Sequence, residues 1–213
     1  TEAFRPEVQL VTQMQVHPTA YKANRVPFNV PYVAPETSSN LQQALSNQKQ
    51  CGNGPLGKAC LDELKKIVGS SRVYLTPSCT AALEMSALLL GLAPGDEVIV
   101  PAYTFVSTAC AFAIFGAKVR FADVCARTLN LDPLSVEPLL TKRTKAIVPV
   151  HYGGLGCDMS KLQQLAEQAE AVLLEDNAQG LTGSIYRPDG SAQALGSFGA
   201  ASAVSFHETK NIG

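Results

Sequence analysis

From Glu97 onward the chain alternates short apolar runs with segments of helical period, an order that few folds accept. Strands are expected at 97–100, 118–122, 146–150, 171–174 and 201–206, with a shorter one ahead of them at 73–75. Helices are expected between them, at about 80–92, 105–115, 133–140 and 159–169. Strands and helices alternating in this way make a mostly parallel sheet covered by helices on both faces, an α/β architecture. Ligands of such sheets bind at the carboxyl ends of the strands, so the residues just past each strand carry the functional signal.

Two further helices are expected upstream. One spans 36–46 after Pro35; the other spans 56–68 after the turn Gly52-Asn53-Gly54-Pro55, with Leu61, Leu64 and Val68 on one face. Residues 1–25 show no convincing period and are expected to lie outside the domain, which would occupy 26–213. Seventeen basic residues against 18 acidic ones give a net charge of -1, which argues against a nucleic-acid tract or an electrostatic membrane anchor. No apolar run approaches the ~18–20 residues of a membrane span, and no secretion signal opens the chain; a cytoplasmic protein is the default expectation. The six cysteines include no Cys-x-x-Cys pair, so neither a zinc site nor a disulfide scaffold is indicated.

Three strand ends carry chemistry. At Thr76-Pro77-Ser78-Cys79-Thr80-Ala81-Ala82, small and hydroxyl residues precede a helix, whose first amides and dipole suit an anion. A capping box from Thr80 would need Glu or Gln at 83; Leu83 stands there, which leaves the first amides open to a ligand. Glu84 counts against a phosphate unless it points away, and an ordinary Ser/Thr cap, by far the commoner use of such residues, also explains the motif. At Glu175-Asp176-Asn177-Ala178-Gln179-Gly180, a carboxylate ends an apolar strand and stays ionised only where a cation meets it. A protonated pyridine would serve, as would a plain turn-capping role for Asp176. At Ser205-Phe206-His207-Glu208-Thr209-Lys210-Asn211, a lysine lies just past the last apolar run, where desolvation lowers the pKa of an ammonium and favours imine formation. Most lysines in such places are simply solvated. Together, a phosphate cradle, a pyridinium partner and a reactive lysine are the parts that pyridoxal phosphate requires.

These stretches, with Val26-Pro27-Phe28-Asn29, Pro94-Gly95-Asp96-Glu97-Val98-Ile99, Tyr103-Thr104-Phe105-Val106-Ser107-Thr108 and Val148-Pro149-Val150-His151-Tyr152, run in the order of a known family. The chain resembles the DegT-type sugar aminotransferases, pyridoxal-phosphate enzymes of fold type I. The resemblance implies that Lys210 binds the cofactor as an imine, that Asp176 meets the pyridine nitrogen, and that Phe105 stacks on the ring. It further implies that Thr80 and Ala81 bind phosphate through their amides, with the Ser205 hydroxyl, and that Gln179 lies near the phenolic oxygen. The implied reaction moves an amino group from an amino-acid donor, glutamate by analogy, to the 4-keto group of a nucleotide-linked 6-deoxyhexose. The implied assembly is a homodimer whose partner completes the active site. Another keto sugar, or a non-catalytic remnant, would fit the same residues.

Two features depart from the family pattern. Asn177 stands where members usually have Ala, which changes packing near the ring but leaves the charge pair possible. The sequence also stops at Gly213, where members continue into the rest of the large domain and a smaller one. The chain is therefore expected to be an N-terminal fragment, with an exposed apolar face and no activity by itself. His151 and His207 lie within matched motifs. His207 follows the last strand and could approach the cofactor's edge; a hydrogen-bonded structural role fits at least as well, and no role is assigned. Tyr103 and Tyr152 are expected to be packing residues.

Overall fold

The computed structural model describes residues 30, 32–47, 52–187 and 189–212. The expected extension at 1–25 and the Val26-Pro27-Phe28-Asn29 motif lie outside them. Five strands form one parallel sheet: β1 (Glu97–Pro101), β2 (Lys118–Ala122), β3 (Thr144–Ile147), β4 (Val172–Asn177) and β7 (Ala201–Val204), in the order β2-β1-β3-β4-β7. A two-stranded antiparallel hairpin, β5 (Ser184–Tyr186) with β6 (Ala192–Ala194), interrupts the run between β4 and β7.

Alternation along the strands splits the core into two layers. Val98 and Val100 of β1 face one side, where they join Leu83 and Ala87 of α3 (Cys79–Leu89) and Ala111 and Phe112 of α4 (Ser107–Ala113). Ile99 faces the other side and meets Val136 of α5 (Pro133–Val136) with Met159, Leu162 and Leu165 of α6 (Met159–Gln168). Each of these Val, Leu, Ile, Phe and Met side chains contributes about 1.5–3 kcal/mol on leaving water, so the two layers hold the helices on opposite faces of the sheet. Two more helices, α1 (Thr37–Ser46) and α2 (Pro55–Val68), precede this unit in the chain. α2 buries Leu64 and Val68, with Leu61 half-buried, and ends at Gly69, whose φ of 65° is the left-handed cap a side chain would resist. α3 and α4 leave Leu88, Leu89 and Ile114 exposed on their outer sides.

Several expected elements are shorter or absent, for local reasons. Residues 73–75 are not a strand: Tyr74 is 73% exposed and Leu75 48%, and no described strand runs beside them to complete a ladder. The last strand ends at Val204 rather than 206, because its partner β4 ends at Asn177, paired with Val204. In β3 the ladder ends at Ile147 and Pro149 brings no N–H, although Val150 still bridges Asp176. The helix expected over 133–140 turns into a 3-10 helix at Glu137–Leu139, where Pro138 cannot donate to the α ladder. The β5–β6 hairpin was not expected, yet Pro188-Asp189-Gly190 is a turn signal. Asp189 Oδ1 accepts the Ser191 N–H at 2.8 Å there.

Candidate functional site

The site lies at the carboxyl ends of β1, β4 and β7, and Asp176 is its centre. As the fifth residue of β4 it points toward α4 and is 4% exposed. Oδ2 accepts a 2.6 Å hydrogen bond from the Thr108 hydroxyl, and Oδ1 accepts the Ala178 N–H at 3.1 Å. Thr108 in turn shares a 2.8 Å hydrogen bond with Thr104. Burial pushes the Asp176 carboxyl up from its ordinary value, while Thr108, the Ala178 amide and the charge of Lys210 pull the other way. The carboxyl is therefore short of positive charge, although Lys210 is near enough to act on it.

Helix α3 supplies a second wall. Its cap is Ser78, two residues earlier than the capping box at Thr80 weighed from the sequence, and the Ser78 Oγ accepts the Ala81 N–H at 3.0 Å. Ala81's amide is thus already committed to its own helix. The amides of Cys79 and Thr80 donate to no protein group among the described residues. With the helix beginning at Cys79, Glu84 falls outside the first turn, which holds no acidic residue. The Cys79 thiol is pushed up to about 12, first by burial and then by the charge of Asp176, with Lys210 opposing. The charges of Asp176 and Lys210 both act on Cys79, so the start of α3 lies near the ends of β4 and β7.

The other predicted residues lie on the segments that follow β1, β4 and β7. Lys210 sits on a turn beyond β7, its N–H donating to His207 O at 2.8 Å, and is half-buried. The Asn211 amide donates to Leu181 O and anchors that turn. Ser205 follows β7 directly, is 7% exposed, and accepts the His207 N–H at 3.2 Å, which leaves its hydroxyl proton to donate. Gln179 Oε1 accepts the Gly153 N–H at 2.7 Å, which leaves its Nε2 for another acceptor. Phe105 lies between β1 and α4, two residues ahead of the helix, and is 69% exposed, so its ring face is available for stacking. The hydroxyls of Tyr103 and Tyr152 meet at 3.1 Å beside it in sequence, with ring centroids 4.7 Å apart.

The resemblance covers Tyr103–Thr108 but assigns Thr108 no role. The signal was present: Thr108 lies three and four residues ahead of the buried Ala111 and Phe112, so its hydroxyl faces inward on an apolar helix face. Asn177, the departure from the family pattern, is fully buried; its Nδ2 donates to Leu195 O at 2.9 Å. A side chain at Gly180 would meet Asn177 Oδ1 at 2.2 Å, so the turn after β4 depends on that glycine. Among the described residues the five cysteines 60, 79, 110, 125 and 157 are free, and no three His, Cys, Asp or Glu side chains could hold a metal ion. No described helix is long and apolar enough to cross a membrane. A surface hollow lined by Leu140, Thr141, Lys142 and residues 168–170 lies by the other end of the sheet.

This arrangement has relatives. The spore coat polysaccharide biosynthesis protein SpsC of Bacillus subtilis (strain 168) is 36% identical over 187 residues, covering 88% of this chain and 46% of SpsC. Spr1654 from Streptococcus pneumoniae, in its PMP form, superposes with a TM-score of 0.81 at 28% identity, covering 89% of this chain and 50% of that one. Its PLP form superposes with a TM-score of 0.80. DesI, solved in the presence of its TDP-sugar product, superposes with a TM-score of 0.75 at 29% identity, covering 87% and 46%. The chain thus spans about half the length of the relatives it matches. Residues 31–213, which include every site residue described above, match one family throughout, and the chain belongs to the DegT/DnrJ/EryC1/StrS aminotransferase family.

Proposed function

We propose that the complete protein is a pyridoxal-phosphate aminotransferase that works as a cytoplasmic homodimer. It moves an amino group from glutamate to the 4-keto carbon of a nucleotide-linked 6-deoxyhexose such as dTDP-4-dehydro-6-deoxyglucose, and the donor leaves as its 2-oxo acid. The product would be dTDP-4-amino-4,6-dideoxygalactose. Membership of the family supports the reaction class, SpsC's part in polysaccharide biosynthesis supports a sugar, and DesI's TDP-sugar product supports a nucleotide-linked one.

The observation that carries this reading is Asp176. A buried carboxyl whose pKa is driven up by desolvation, with two donors and a lysine beside it, fits a protonated pyridine nitrogen. The uncommitted amides of Cys79 and Thr80 and the Ser205 hydroxyl fit a phosphate. Bound there, pyridoxal phosphate supplies an aldehyde that joins an amine and a protonated ring that withdraws its electrons.

The chain's own residues then have separate tasks. Asp176 stays anionic against the ring nitrogen, and Thr108 holds its carboxylate in place. Cys79, Thr80 and Ser205 hold the phosphate, with Ala81 joining only if Ser78 releases its amide. Phe105 would cover one face of the ring and exclude water, and Gln179 Nε2 would be the donor for the phenolic oxygen. Lys210 Nζ would hold the cofactor's aldehyde carbon and would be the base for the proton on the donor's α-carbon.

Replacing Lys210 with Ala in the complete protein is expected to remove the visible absorbance of the bound cofactor and all amino transfer. Retained absorbance with full turnover contradicts the reading. A panel of keto-sugar nucleotides assayed with glutamate fixes the sugar, and preference for a 3-keto sugar would move the substrate assignment.

A further inference from the structure

Beside Asp176 on the same strand, Glu175 points the opposite way and is 1% exposed. Its Oε2 accepts from His151 Nε2 at 2.8 Å and from Gly196 N at 2.9 Å; its Oε1 accepts from Phe198 N and Gly199 N, both at 2.7 Å. Four N–H donors fill the acceptor sites of one carboxylate. His151 is fully buried, and its Nδ1 accepts the Cys157 N–H at 3.2 Å, so the ring proton sits on Nε2 and donates to Glu175.

The partners are as telling as their number. Residues 196–199 form the turn that enters β7, and the next amide, Ala200 N, donates to Leu173 O of β4 at 2.8 Å. A side chain at Gly199 would meet that same carbonyl oxygen at 2.5 Å, so β7 begins in close contact with β4. The far end of β7 leads to Ser205 and then Lys210. The His151 backbone N–H meanwhile donates to Asp176 O at 3.2 Å, and Asp176 N–H donates to Pro149 O at 2.9 Å. One network therefore touches the strand that bears the acid and the strand that leads to the lysine.

We infer that Glu175 and His151 are a positioning pair, which fixes the start of β7 on β4 and thereby sets where Lys210 stands relative to Asp176. Neither side chain touches the cofactor position. The inference rests on the proposed function, since it concerns the geometry of the lysine that would bind the cofactor.

The test uses the complete protein and two readouts. Glu175→Gln keeps the shape but turns an amide N–H toward donors that need an acceptor. Amide exchange at Gly196, Phe198 and Gly199 is expected to rise about tenfold or more, the order that one unmatched buried donor produces, with exchange in α6 unchanged. Borohydride-fixed labelling of Lys210 by pyridoxal phosphate is expected to slow about tenfold. His151→Leu removes one donor and gives the same changes at smaller size, while His151→Gln, whose amide still donates, restores most of the labelling. Faster exchange with wild-type labelling, in folded Glu175→Gln or His151→Leu, overturns the inference and leaves a purely structural clamp. Should Glu175→Gln not fold, the two His151 variants decide alone. A wild-type protein that takes no label at Lys210 overturns the proposed function and this inference with it, so the two failures read differently.

Discussion

Two buried acids sit at opposite ends of the same sheet and are treated in opposite ways. Glu97 opens β1, and its carboxylate is ringed by Arg120 at 3.1 Å, Arg143 at 3.7 Å and Lys118 at 3.9 Å. The Thr141 hydroxyl donates to it at 2.8 Å, and that bond, ahead of the arginine charges, holds it below its ordinary value despite burial. Asp176, one residue before the end of β4, has one hydroxyl donor and one amide donor, and burial outweighs these and the charge of Lys210. The first acid is finished by the protein itself. The second is left needing a positive group, which is the state expected of a carboxylate reserved for a ligand.

The contrast can be broken by mutation. The largest effect is expected from Asp176→Asn, which should weaken pyridoxal-phosphate retention about 100-fold or more while leaving the cofactor-free fold within about 1 kcal/mol of wild type. Spectroscopic titration with the cofactor and urea melts without it measure the two halves; a large stability loss without cofactor would make Asp176 structural. Thr108→Val comes next, at about tenfold weaker retention, because it removes a hydrogen bond to a charged acceptor. Glu97→Gln is expected to cost about 1 kcal/mol at neutral pH, discounted because its cationic partners are partly exposed.

The pH dependence separates the two acids by sign. Glu97 has its folded pKa lowered from 4.5, so its contribution is present above 4.5 and is lost as pH falls through the folded value. Asp176 has its folded pKa raised from 3.8, so its contribution in the cofactor-free protein is full below 3.8 and is lost as pH rises through the folded value. Urea melts of Glu97→Gln and wild type should converge in acid, and divergence there would contradict the assignment. The smallest effect is expected from Tyr152→Phe, within about 0.5 kcal/mol in stability, since the hydroxyl pair is exposed.

The strand–helix alternation from Glu97 onward, and the places of Asp176 and Lys210 at and past apolar strands, were legible in the chain because they depend on local pattern; the Thr76–Ala82 motif opens α3 but follows no described strand. What was not legible depends on strand partners. Residues 73–75 have a strand's composition but no described neighbour, and 205–206 continue an apolar run past the end of their partner. Ala81's commitment to Ser78 follows from the helix starting at Cys79, a boundary shift of one residue that pattern alone does not resolve. The Glu175 network joins residues 21 to 24 positions apart, so no spacing in the sequence announces it.

The most direct measurement of the central claim is a crystal structure of the complete protein grown with pyridoxal phosphate. Continuous density is expected from Lys210 Nζ to the cofactor, with the ring nitrogen within hydrogen-bond reach of Asp176 and phosphate at the Cys79 and Thr80 amides. Cofactor bound through a different lysine, or a ring nitrogen facing anything but Asp176, would contradict it.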